Sequence, residues 1–352
     1  MSSSSATAMR VTGIGLVGAL GTRAANVLAA QRCNLVRTSP STELRIPDED
    51  TLTEQPVRVH AVRGLAAGYE HQGRWVRLLS AALQDLATGL ESGDATALPL
   101  VVVRPADDPD RYPVETAAAG LDELLSQALT APRTAFACHV VPGAEGSIAV
   151  ALDQVAELLR QHRRVVLAGV DSLVDHCSLA WLLRAGRLKT DDNPVGIAPG
   201  ETAACFLLER ADPTGPTGGL AEIADWWRDD EVDTEAEPEL WGQRLGRAVN
   251  RSMHARANEP SRPHTPWHLV SNHDGDTAMA RIHGGLLSTL DPGLAAPRLH
   301  HPCVSFGSVG CASAFVGMAV AIHVLATDPA SRDVVATAAS PRGEAALVRL
   351  RR

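Results

Sequence analysis

Residues 165–209, VVLAGVDSLVDHCSLAWLLRAGRLKTDDNPVGIAPGETAACFLLE, constrain the fold more than any other part of the chain. A β-branched apolar run (Val165 to Leu167) meets Gly169, a helix-like segment and a Gly/Pro-rich loop follow, and a second apolar run closes the unit (Ala203 to Leu208). That order reads as strand, helix, strand. The continuous apolar character of the second run suits a strand covered on both faces, so a buried parallel sheet is expected. Gly169 is expected where a side chain would crowd a crossing backbone.

The rest of the chain extends this α/β pattern. A strand-like Met9 to Leu20 precedes a helix-like Arg23 to Gln31; residues 39–60, rich in Pro, Thr and Glu, read as a surface loop; and Arg74 to Leu90 carries apolar positions at helical spacing. An apolar run at Leu98 to Val103, a polar loop, a helix over Glu115 to Leu129, a strand over Thr134 to Val141 and a helix over Gly146 to Arg160 lead into the opening stretch. Past Arg210, ADPTGPTGG reads as a linker, dividing the chain into residues 1–211 and 219–352. The second part repeats the order loosely: strand Leu220 to Trp226, helix Leu240 to Ala257, strand Trp267 to Ser271, helix Thr277 to Leu290, a Gly/Ala/Ser-rich helix after Cys303 to Gly307, and strands Val334 to Ala339 and Glu344 to Leu350. The duplication is one of element order, not of letters.

Composition excludes several classes. With 45% hydrophobic and 21% charged residues the chain reads as globular, and no apolar run is expected to reach the roughly 18 residues of a membrane helix. A net charge of −9 with scattered Arg argues against a nucleic-acid surface. The 6 cysteines form no CxxC pair, which points away from a disulfide framework or a zinc site, and no cofactor motif is present. MSSSSATAMR has no apolar core of signal-peptide length, so a cytoplasmic location is expected.

Three blocks carry a resemblance to a known family. VTGIGLVGALGTRAANVLAAQ resembles the opening of β-ketoacyl synthases, AGVDSL with RLKTDDNPVGIAPGETAACFLLE their central block, and SFGSVGCASAFVGMAVAIHVLA their C-terminal Gly/Ala helix. The resemblance implies the thiolase fold, two pseudo-duplicated α/β halves in five layers, and usually a dimer. It also implies shorter substrate-covering insertions than in a typical condensing enzyme.

Such enzymes use a Cys at the start of a helix, where the helix end lowers the thiol pKa and offers N–H groups to an oxyanion, with two His residues assisting. Counting back from Gly169 by the family's helix length places that Cys within one residue of Ala144, in Pro142-Gly143-Ala144-Glu145-Gly146-Ser147. No Cys is there. Cys138 lies earlier, inside a strand, and Ser147 stands near the helix start, where a helix cap is the commonest use of serine. The resemblance maps the first His onto His273, in a string that also reads as a turn, and the second onto Ser308, a hydroxyl that cannot act as an imidazole does. Gly200 and Glu201 match a structural loop of the family, with Thr202 where the family has Gly. The expectation is a non-condensing partner subunit that binds an acyl-thioester or acyl carrier protein, comparable to a chain-length factor, as a homodimer or as a heterodimer with a ketosynthase-like chain. Alternatives are an acyltransferase or hydrolase using Cys138, Ser147 or Glu145 beside His273, and a scaffold with no acyl tunnel.

Overall fold

A computed structural model of the chain describes residues 9–48, 52–88, 98–112, 136–211, 218–229, 236–255 and 266–352. The expected helix over Glu115 to Leu129 and most of the expected linker lie outside them. In chain order the first half runs β1 (Met9–Val17), α1 (Ala24–Arg32), β2 (Ser39–Asp48), β3 (Thr53–Val59), α2 (His71–Ala87), β4 (Leu98–Pro105), β5 (Phe136–Gly143), α3 (Ile148–Leu158), β6 (Arg164–Ser172), α4 (His176–Arg184) and β7 (Glu201–Arg210). The second runs β8 (Ala221–Arg228), α5 (Pro238–His254), β9 (His268–Ser271), α6 (Thr277–Thr289), β10 (Arg298–His300), α7 (Cys303–Phe306), a 3-10 turn at Gly310–Ala312, α8 (Ser313–Thr327), β11 (Asp333–Ala339) and β12 (Ala345–Arg351).

The duplication inferred from element order is visible in strand order. The strands line up as β10-β9-β11-β12-β8-β1-β7-β6-β4-β5. Counting the main-sheet strands of each half from its own first strand, both read third, second, fourth, fifth, first, outward rim to junction. Pair directions agree too: β4 pairs parallel with β5 and β6, as β9 does with β10 and β11, while β7 and β12 run antiparallel to both neighbours. The halves join where Met9–Val11 of β1 pairs antiparallel with Ala221–Ile223 of β8.

Period-two alternation then builds five layers. Leu100, Val102, Val166, Ala168, Ala203 and Cys205 face outward onto Leu78, Leu79, Ala82 and Leu86 of α2. Their neighbours Val101, Val103, Val165, Leu167, Ala204 and Phe206 face inward onto α3 and α8, which also receive Val334, Ala336, Val348 and Leu350 of the second sheet. The other face of that sheet, with Leu269, Val335 and Leu347, packs on α5 and α6.

Four expectations change. The sheet is mixed, because β6 and β7 are antiparallel; a continuous apolar run reports that both faces are covered and says nothing of strand direction. Residues 39–60 form the β2–β3 hairpin, whose Val57 and Val59 bury against Leu179 and Leu182 of α4. Gly169 meets no backbone: a Cβ there would lie 2.3 Å from the Phe315 ring of α8, and the strand continues past it to Ser172. Finally, Gly310–Thr327 is long and apolar enough to cross a bilayer. It is mostly buried inside the protein, as the helix shared by the two sheets, which explains its composition.

Candidate functional site

The elbow between β5 and α3 follows the last residues of the rim strand. There the Ala144 N–H donates to the Ser147 hydroxyl (2.9 Å) and the Ser147 N–H to the Ala144 carbonyl (3.0 Å), so the turn closes on itself. Ser147 occupies the N-cap of α3, yet its hydroxyl serves this turn and caps no helix N–H. Gly146 backs onto β12, where a Cβ would approach the Ala345 nitrogen to 3.1 Å.

In front of the elbow is a cavity of about 90 Å³. Gly143, Ala144, Glu145 and Ser308 line it, with Trp181, Leu182 and Ile197 and the charged residues Asp108, Arg111, Asp171, Arg187 and Arg342. Most charges are spent on one another. Arg111 bonds Asp171 (2.8 Å), the Ser172 carbonyl (2.7 Å) and the Ser178 hydroxyl (2.9 Å). Arg342 bonds Asp108 (2.6 Å), and Arg187 bonds Asp276 (2.8 Å). Asp171 also accepts the Cys311 N–H (3.0 Å). The Cys311 thiol in the cavity wall is buried, and desolvation with the Asp171 charge pushes its pKa well up. Glu145 has no ion-pair partner among the described residues; burial above all, and then the Glu344 carboxylate, push its carboxyl up to about 7. Sequence reading missed Arg111 and Asp171. Their signal was a lone carboxylate in the apolar string AGVDSL and an arginine in the loop before Tyr112.

The structure therefore brings Ala144, Glu145, Ser147 and Ser308 together. Ser308 also donates a hydrogen bond to Asp274, whose carboxyl burial pushes up. Cys138 lies apart, packing with Phe136 and Val140 against the outer core on the α2 side of the sheet. His273 is not in the cavity wall. Its ring stacks on His283 (centroids 5.2 Å) and meets His301 edge-on (5.7 Å), and His283 meets His301 at 5.2 Å. Cys303 donates its thiol hydrogen to the His273 carbonyl and, desolvated there, has a pKa of about 12.

This imidazole cluster is expected to make the fold sensitive to acid. The Nδ1 atoms of His273 and His301 are buried with no hydrogen-bond partner, and burial, then its His neighbours, bring His283 down to about 4. A depressed histidine stabilises the fold above the unfolded value of about 6.5 and loses that contribution as pH falls below it toward 4. Partial exposure trims the His283 contribution to about 1 kcal/mol. Between pH 7.5 and 5 the wild type should lose about 2–4 °C more in Tm than His283→Gln. Equal losses, followed by calorimetry, would show that the cluster carries no such linkage.

Ahead of the cavity, the Gly200–Glu201 loop is a buried anchor. Glu201 accepts the Val62 N–H (2.8 Å), Arg74 Nε (2.6 Å) and the Ser172 hydroxyl (3.0 Å). Gly200 donates its N–H to the Ser308 carbonyl (2.8 Å), tying the loop to the cavity wall. Thr202 sits in the regular strand β7 and gives its hydroxyl hydrogen to the Val17 carbonyl, so no glycine is needed there.

No family model and no curated protein matches the sequence. Solved structures do match in three dimensions. The ishigamide ketosynthase/chain length factor superposes with a TM-score of 0.71 at 18% identity, covering 99% of this chain and 99% of that one. AntDE:AntF, a type II polyketide synthase acyl-carrier protein in complex with its ketosynthase bound to the hexaketide, gives 0.71 at 11% identity over 98% and 99%. The ketosynthase from module 6 of the bacillaene synthase of Bacillus subtilis 168 gives 0.72 at 10% identity over 98% of this chain and 72% of that one. The chain has the thiolase-type fold of the ketosynthases over almost its whole length.

Proposed function

We propose that the protein is a ketosynthase-like partner subunit that does not condense, and that it engages an acyl carrier protein in a fatty-acid or polyketide-type pathway. The observation that carries this is the elbow itself: the position between β5 and α3 to which the resemblance assigns the nucleophile holds Ala144. The surroundings support it. Ser308, at the second His position, bonds a carboxyl and not an imidazole. The cavity wall is charged and small, ill-suited to a long acyl chain. Reaction through Cys138 is disfavoured by its place on the outer face, and through Ser147 by its hydroxyl's engagement with the turn. The likenesses to a ketosynthase/chain length factor and to a carrier-bound ketosynthase fit this reading.

A dimer, with itself or with a ketosynthase-like chain, is supported by β5. This strand pairs only with β4 among the described residues, and its side chains are half-exposed on both faces. An apolar edge that no other described strand covers favours pairing with another chain. Incubation with acyl-pantetheine thioesters should leave the intact mass unchanged, and a phosphopantetheinylated acyl carrier protein should bind the complex of this chain with its partner. An acyl increment that disappears in Cys138→Ala or Ser147→Ala would overturn the non-condensing reading, and failure to bind any carrier would overturn the partner role.

A further inference from the structure

Among the described residues, Glu145 is the one charged residue lining the elbow cavity that makes no ion pair. Asp108, Arg111, Asp171, Arg187 and Arg342 are all committed to ion pairs. Glu145 follows Ala144 on the closed turn, so its backbone is fixed by the same two hydrogen bonds and by the contact of Gly146 with β12. Nearby, the Glu344 Oε2 is buried with no hydrogen-bond partner. Arg187 gives its Nε–H to Asp276, and no other hydrogen bond holds its guanidinium among the described residues. A carboxyl group and an arginine with N–H groups to spare thus line the same cavity of about 90 Å³ beside the elbow.

We propose that Glu145 activates water in this cavity for the hydrolysis of short-chain acyl thioesters. This rests on the acyl-thioester reading above and adds an activity to it. The Glu145 carboxylate takes a proton from water as the water oxygen bonds to the thioester carbonyl carbon, and Arg187 donates hydrogen bonds to the oxygen that becomes negative. When the intermediate collapses, the carbon–sulfur bond breaks, the sulfur leaves with the bond's electron pair, and Glu145 returns its proton to it. One thioester and one water give one carboxylic acid and one thiol. The cavity holds a few water-sized volumes, enough for an acyl group of two or three carbons with the attacking water and too little for a long chain. Gly143 and Ala144 leave that space open, because neither carries a side chain beyond Cβ.

The test is thiol release from acetyl- and octanoyl-N-acetylcysteamine thioesters by the full chain. Acetyl thioester should be cleaved faster than octanoyl, with kcat/KM rising with pH and levelling above an inflection near 7, the value to which burial brings the Glu145 carboxyl. An ordinary exposed carboxylate would place that inflection near 4.3. Glu145→Gln should lower the rate at pH 8 by about 10²-fold or more with an unchanged thermal transition of the folded state. Release no faster than the buffer rate, an undiminished rate in Glu145→Gln, or a profile flat between pH 6 and 8 would overturn the proposal. Carrier binding, measured alongside, separates the two readings: a chain that binds carrier without releasing thiol retains the partner role and loses the hydrolysis.

Discussion

Glu201→Ala is expected to cost about 3–5 kcal/mol, a large part of the total stability of a domain. The carboxylate is fully buried and satisfies three donors from three separate segments: the Val62 N–H before α2, the Arg74 guanidinium inside α2 and the Ser172 hydroxyl at the end of β6. Removing it leaves the Arg74 charge buried and unpaired beside an orphaned N–H and hydroxyl, and each of those losses carries its own desolvation cost. Glu201→Gln keeps the shape and can accept from two of the donors, so it should lose less. Urea denaturation of the three proteins, read as midpoint times slope, decides the matter. A loss below about 1 kcal/mol in Glu201→Ala would mean that the network is not holding α2 to the sheet.

Gly200→Ala should be the next most damaging, through crowding and not through loss of a partner. A Cβ at residue 200 would stand 2.0 Å from the Phe306 carbonyl oxygen, and that oxygen belongs to backbone that cannot rotate away. The loop and residues 306–308 must separate, weakening the Gly200 N–H bond to the Ser308 carbonyl and displacing the cavity wall. Overpacking of this kind costs about 1–3 kcal/mol, and more where backbone meets backbone. Gly284→Ala is the control. It lies in α6 with nothing within 4 Å of the added Cβ, so it should stabilise by about 0.4–1 kcal/mol. Thermal unfolding should rank Gly284→Ala above wild type and wild type well above Gly200→Ala; Tm values for Gly200→Ala and wild type within a degree would refute the crowding argument.

What the sequence disclosed follows from which forces are local. Local apolar patterning, as unbroken runs in β4, β6 and β7 and as helical spacing in α2, located these elements because the faces they bury are written in consecutive residues. It could not give the direction of β7, since direction is fixed by how the segment 185–200 returns across the sheet. It also passed over the β2–β3 hairpin, because Pro40, Pro47 and Pro56 are tolerated in an isolated two-stranded ribbon although they would interrupt a central strand. At the site, Ala144 could be reached by counting back from Gly169 with the helix length that the resemblance supplies, and the structure places it on the β5–α3 turn beside Glu145 and Ser147. The cluster of His273, His283 and His301 could not, because its members come from a loop, a helix and the end of an edge strand that only the folded chain brings together. Glu145 was visible as a letter beside Ala144, but its lack of an ion pair among the described residues depends on where Arg111, Arg187 and Arg342 found their own partners.

The two halves share one plan, yet their rims are unequal. β5 offers eight residues, Phe136–Gly143, whereas its counterpart β10 offers three, Arg298–His300. A ribbon added beside the first could form a full ladder, and one beside the second scarcely a single turn of pairing. Duplication thus produced a lopsided molecule, able to be zipped to a companion along one flank and nearly blunt along the other. Because the elbow of Ala144 is carried by the last residues of that longer flank, any companion docked there would come within a few residues of the cavity.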